Sequence, residues 1–236
     1  MFYRLSNTAS RSELEKMSNT RMSYPSLYKS SVIIDGLKEN NLTIKTCQNS
    51  DVLSIAIWGI LPQGYSEQWQ TFQNIKNTLN FEADSLKTDQ CFKDALYNRR
   101  CLVYVTGFFT TYIINSKTYP FYVYLNTNTP FCLAGVYNEL DDGFLTCSIL
   151  VSRGANSLND IQNLSNEVPI VLDKKDAKKW NDTSMSKDEV DHFIDNPKKF
   201  LFRSYPISSS FYTEDTFDSN ILKPFIFLPH IVSDSN

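Results

Sequence analysis

The chain is short of glycine, nearly without histidine, and carries no surplus of basic charge. Seven glycines in 236 residues is a low count, and neither GxGxxG nor GxxxxGK[ST] occurs, which argues against a phosphate-cradling loop. Two histidines, His192 and His230, with five cysteines lacking any CxxC pair, make a Cys/His metal site a poor expectation. The net charge is −3, so composition supplies none of the basic footprint that a dedicated nucleic-acid binder shows. No apolar run approaches ~18 residues, and the first residues lack the basic-then-apolar order of a secretory signal. The expectations are no metal, no cofactor, no membrane partner and a cytoplasmic location. Cys47, Cys91, Cys101, Cys132 and Cys147 then read as reduced thiols beside apolar sequence, and the sequons at Asn41, Asn163 and Asn181 as unused.

What is present is a core. Apolar residues make up 42% and aromatics 14%, enough for one large domain over residues 1–236. A strand is expected at Met1–Leu5. Ser10 and Glu13 have capping-box spacing for a first helix. A polar segment from Asn19 to about Ser50 carries one expected strand at Ser31–Ile34. From Val52 the chain turns strand-rich: VLSIAIWGILP, CLVYVTGFF, YPFYVYL, PFCLAGVYNEL, FLTCSILVS and VPIVL. Helices are expected at Asp89–Tyr97, Asp173–Trp180 and Ser186–Ile194, one at a time. The reading is α+β: a curved, mixed but mainly antiparallel, open barrel-like sheet with a few peripheral helices. The last residues, with LKPFIFLPHIV, are expected to pack back as a tail.

One stretch raises a functional question. RRCLVYVTGFFTTYI begins with two arginines and then runs from Cys101 to Ile113 without an acidic or basic side chain, reading as two strands broken at Gly107. Several strings in order resemble the SOS response-associated peptidase (SRAP) family. Trp58-Gly59-Ile60-Leu61-Pro62 is similar to its WGLxP and Thr78-Leu79-Asn80 to the start of TLNARSET. Arg99-Arg100-Cys101-Leu102-Val103 matches RRCLV, and Gly107-Phe108 opens GFYEW. Pro120-Phe121-Tyr122, Ala134-Gly135, Ala155-Asn156 and Val168-Pro169-Ile170-Val171-Leu172 match PYY, AGLW, AN and MPVIL. The resemblance covers roughly residues 1–210 and implies an SRAP-like domain that processes abasic sites in single-stranded DNA.

The resemblance also implies that most of the chemistry is missing. The family's nucleophile is a cysteine at position 2, whose amine and thiol together trap an aldehyde as a five-membered ring. Phe2 stands there. The glutamate of GFYEW, a general acid/base, is Thr110, and the family histidine aligns with Ser165; neither hydroxyl titrates near neutral pH. Asn80 is retained, although an asparagine at a strand end also reads as an ordinary turn residue.

Among DNA-contacting positions Arg4 is kept, two family arginines become Glu82 and Glu167, and a family tryptophan becomes Gly64 beside Tyr65. Trp58 and Tyr65 read as stacking platforms or, for Trp58 above all, as core. The lysines at 174, 175, 178 and 179 read as a solvated helix face. Three readings follow: a degenerate SRAP protein that binds an unknown protein or small-molecule partner; an abasic-site enzyme using the Met1 α-amine; or a non-catalytic single-stranded DNA scaffold. Met1 is expected to be retained, because Phe2 is too large a neighbour for its removal.

Overall fold

The computed structural model describes residues 2–127, 129–153, 158, 160–214 and 218–226. In chain order the elements are β1 (Arg4–Asn7), α1 (Arg11–Ser18), β2 (Arg21–Met22), β3 (Ser31–Asp35), β4 (Asn41–Thr46) and β5 (Val52–Trp58). Then come α2 (Trp69–Ile75), β6 (Asn80–Glu82), α3 (Ala83–Leu86), α4 (Lys93–Asn98), β7 (Arg100–Val105), β8 (Gly107–Ile114) and β9 (Lys117–Leu125). The remainder are β10 (Phe131–Glu139), β11 (Leu145–Arg153), β12 (Glu167–Pro169), β13 (Val171–Leu172), α5 (Lys174–Trp180), α6 (Lys187–Asp195) and β14 (Phe202–Pro206). Among the described residues no helix is long and apolar enough to cross a membrane.

Two sheets carry the fold. One runs β14-β9-β8-β1-β3, and the larger runs β12-β11-β10-β7-β4-β5-β2. In the larger sheet β11 also pairs in parallel with β5, Cys147 opposite Trp58, so the sheet curls round into a ring-like but not fully closed barrel. Its interior holds Trp58, Val103, Leu133 and Ile149, all fully buried. The outer face, with Leu102, Tyr104 and Leu150, is covered by helices that bring Leu14, Leu96, Trp180 and Ile194. Helices α1 and α6 each start on a complete capping box, Ser10 with Glu13 and Ser186 with Glu189, as the spacing predicts.

Gly107 is where the chain leaves one sheet for the other. The Tyr122 ring lies directly over it, at a separation that no Cβ could share, so only glycine lets β7 run on into β8. The transition sets Phe108 and Thr110 on opposite sides of Phe109 along β8, within the sheet that holds β1.

The structure differs from expectation in several places, and α2, α3, β2, β6 and β14 were not expected at all. The first strand starts at Arg4, leaving Phe2 and Tyr3 ahead of it. NLTIKT, read as polar loop, is a strand in the middle of the ring, with Thr43 and Thr46 buried beside Leu42 and Ile44. VPIVL is two short strands: β12 pairs with β11 and β13 with β10, and Ile170 between them bonds to both neighbours. The helix expected at Asp89–Tyr97 begins only at Lys93. Of the tail, Ile221 is buried with Phe109 and Tyr122, while residues 227–236, like Met1, Ala155 and Asn156, lie outside the described residues.

Candidate functional site

The three positions that the resemblance marks as catalytic meet in one pocket of about 370 Å³, which Phe2, Thr110 and Ser165 all line. Each is tied into the scaffold. The Phe2 ring is buried and meets Phe108 edge-on at 5.2 Å, and Phe108 in turn meets Phe202 at 5.4 Å. The Phe2 carbonyl accepts a 2.6 Å hydrogen bond from Asn80 Nδ2. Thr110 Oγ1 donates to the Ile161 carbonyl at 3.2 Å. Ser165 Oγ accepts from the Glu167 N–H at 3.0 Å.

Gln162 is the residue that the sequence did not single out. Its Nε2 donates to the Ser165 carbonyl at 2.6 Å and to the Glu167 carbonyl at 2.8 Å, which holds the 162–167 segment against the pocket wall. The remaining wall comes from Tyr3, Leu37, Phe109, Leu164 and the 3₁₀ turn Ser209–Tyr212.

Among the described residues Arg4 is the one charged side chain on this lining, and its charge is engaged. Its guanidinium pairs with Asp35 at 3.2 Å, donates to the Phe211 carbonyl, and lies 4.6 Å from the Phe211 ring centre. No histidine, cysteine, lysine or carboxylate lines the pocket among the described residues. Burial pushes the Tyr212 hydroxyl up from its ordinary range, and it shares a 2.7 Å hydrogen bond with Thr111. The arrangement can bind through rings and neutral hydrogen bonds, and among the described residues its lining offers no carboxylate, imidazole or thiol for acid–base work.

The other candidate residues lie elsewhere. Trp58 is wholly buried, with Nε1 donating to the Leu79 carbonyl at 2.9 Å, so neither ring face is open to a base. Tyr65 is half-exposed, edge-on to Phe72 at 5.2 Å, and does not reach the Phe2 pocket. Gly64 sits at φ +74, a turn position that strains other residues, with open space where a side chain would project. Glu82 pairs with Arg153 Nε at 3.0 Å, and Glu167 stands opposite the same arginine in the β11–β12 register. The two acidic replacements therefore flank one cation, which offsets part of the charge reversal expected from sequence.

The family model described as SOS response associated peptidase (SRAP) matches residues 1–212. The chain belongs to the SRAP family. No curated protein matches it. Crystal structures that share its fold include the following three. A protein from Bacteroides thetaiotaomicron is 24% identical with a TM-score of 0.84, covering 95% of this chain and 100% of its own. A protein from Bordetella bronchiseptica is 11% identical at TM-score 0.72, covering 87% and 99%. A phage-related protein from the same organism is 17% identical at TM-score 0.65, covering 86% and 93%.

Proposed function

We propose that this SRAP protein keeps the family fold as a binding scaffold and has lost the cross-linking chemistry. The observation that carries the reading is the use made of Phe2. At the nucleophile position stands a ring packed into the core, with its carbonyl held by Asn80, and no thiol adjoins the chain terminus. The pocket around it supports the same reading, because Thr110 and Ser165 spend their hydroxyls on backbone groups and, among the described residues, no histidine, cysteine or carboxylate lines it. A ring-closed adduct needs two adjacent nucleophiles, and a hydroxyl cannot replace the general acid/base that delivers the proton.

The test is incubation with single-stranded DNA carrying an abasic site, resolved on a denaturing gel beside the triple variant F2C/T110E/S165H. The expected outcome for the wild-type chain is no shifted band that survives heat and SDS. A stable band without added reductant refutes the proposal. A band trapped only by borohydride points instead to an imine at an amine such as that of Met1, and would move the protein to the enzyme reading.

A further inference from the structure

We propose that the emptied pocket is a binding site for a small, neutral, flat aromatic molecule bearing one hydrogen-bond donor; the proposal rests on the loss of chemistry argued above. Large exposed apolar side chains scattered singly are normal on a protein surface, whereas a cluster around a cavity marks a binding site. Here Tyr3, Leu37, Leu164 and Tyr212 are 39%, 55%, 63% and 39% exposed, and all four rim this one pocket. Its floor is aromatic too, with Phe2, Phe109 and Phe211. A volume of about 370 Å³ lies within the range of small-molecule sites.

Charge and hydrogen bonding narrow the ligand class. Among the described residues the one lining cation, Arg4, is already met by Asp35 and by the Phe211 carbonyl, and no carboxylate lines the pocket. An ionic ligand would give up hydration without gaining an uncompensated partner. Gln162 is 9% exposed, and with Nε2 committed to two carbonyls its Oε1 makes no hydrogen bond among the described residues. That oxygen is an acceptor that a ligand N–H or O–H can meet. Rings stack on Tyr3 and Tyr212 at little entropic cost, because both side chains have few rotamers.

A matched dye pair tests this. N-phenyl-1-naphthylamine is a neutral fused ring with one N–H donor, and its 8-sulfonate has the same rings plus a negative charge. The neutral amine is expected to bind saturably with a fluorescence rise, and the sulfonate about tenfold more weakly. Leu164→Glu and Leu37→Glu, both at exposed positions that the fold does not depend on, are expected to weaken the neutral dye by about tenfold each. Ile75→Glu, 80% exposed at the end of α2 and away from the pocket, is expected to leave it unchanged. Non-saturable binding, tighter binding of the sulfonate, or indifference to Leu164→Glu overturns the proposal. Displacement of the dye by an undamaged single-stranded oligonucleotide also overturns it, in favour of a nucleic-acid groove. The two readings fail separately: a stable abasic-DNA adduct defeats the loss of chemistry whatever the dyes do, and no dye binding without an adduct defeats only the ligand assignment.

Discussion

Phe2→Leu measures how far packing has taken over the nucleophile position. Leucine is preferable to alanine, because a small second residue invites removal of Met1 and changes two things at once. The substitution keeps an apolar side chain and removes the ring. The edge-on pair with Phe108 at 5.2 Å and 82° is then lost, at about 0.5–1.5 kcal/mol. The space behind the smaller side chain costs roughly 0.5–1 kcal/mol more, since Phe2 is 3% exposed in a core that can collapse only in part. The sum is about 1–2.5 kcal/mol, read as a urea midpoint lower by roughly 0.4–1 M with an unchanged slope. A double-mutant cycle with Phe108→Leu should return a coupling of about 0.5–1.5 kcal/mol, because the two rings touch. If Phe2→Leu is indistinguishable from wild type and the coupling is nil, Phe2 is not structural. The argument that its ring has replaced the family's chemistry would then fall.

Three further outcomes follow from the same geometry. Arg100 is fully buried and forks to the carbonyls of Tyr97, Trp180 and Asp182, tying the ends of α4 and α5 to β7; Arg100→Lys, whose ammonium cannot span all three, should cost about 2–3 kcal/mol in urea unfolding. Burial pushes the Asp89 carboxyl up, but the hydrogen bonds from Lys76 and from the Cys91 and Phe92 N–H groups outweigh it and hold the pKa below its ordinary value. The stability it contributes is therefore present above the unfolded value of about 3.9 and lost as pH falls through the folded one, so Asp89→Asn should cost about 1 kcal/mol at pH 7 and progressively less as the pH falls below the unfolded value. Undamaged single-stranded DNA should bind no better than about micromolar at physiological salt with a shallow salt slope, since Arg4 is engaged by Asp35 and Arg153 by Glu82; nanomolar affinity with a steep slope in a fluorescence titration would locate a basic surface elsewhere.

The strands that sequence made legible are those built from aromatic and β-branched runs, such as PFCLAGVYNEL and FLTCSILVS, because their buried faces follow from composition alone. NLTIKT was not legible, since threonines count as polar in a pattern although Thr43 and Thr46 are buried within the ring. The division of VPIVL depends on where β10 and β11 run past it, which no local pattern encodes. At the site, resemblance supplied Phe2, Thr110 and Ser165, which the fold brings to one pocket. It could not supply Gln162, which belongs to no matched string, or the pairing of Glu82 with Arg153, which requires the parallel β6–β11 register. Sequence offered Trp58 and Tyr65 as stacking platforms with the core as the favoured place for Trp58, and the ring closure at Cys147–Trp58 puts Trp58 inside the core while Tyr65 stays partly exposed.

Hydrogen-bond satisfaction gives an independent argument about how the site has changed. Working sites hold polar groups with unmet bonds, because those groups are reserved for a substrate. Here the candidate positions are tied into the scaffold: Thr110 bonds the Ile161 carbonyl, Ser165 receives the Glu167 N–H, and the Phe2 side chain is a ring packed on Phe108 with no hydrogen bond to satisfy. Asn80, the position the family retains, is different. It is 6% exposed, its Nδ2 holds the Phe2 carbonyl, and its Oδ1 has no partner among the described residues. A buried acceptor left in that state costs about 1–3 kcal/mol. Asn7 and Asn181 carry the same kind of orphan oxygen, so the feature is not unique to the site. What sets Asn80 apart is that its other half anchors the residue in the nucleophile position. Replacing Asn80 would free that oxygen's cost but release the Phe2 carbonyl, so on the proposed reading this structural bond is by itself a reason for asparagine at the position.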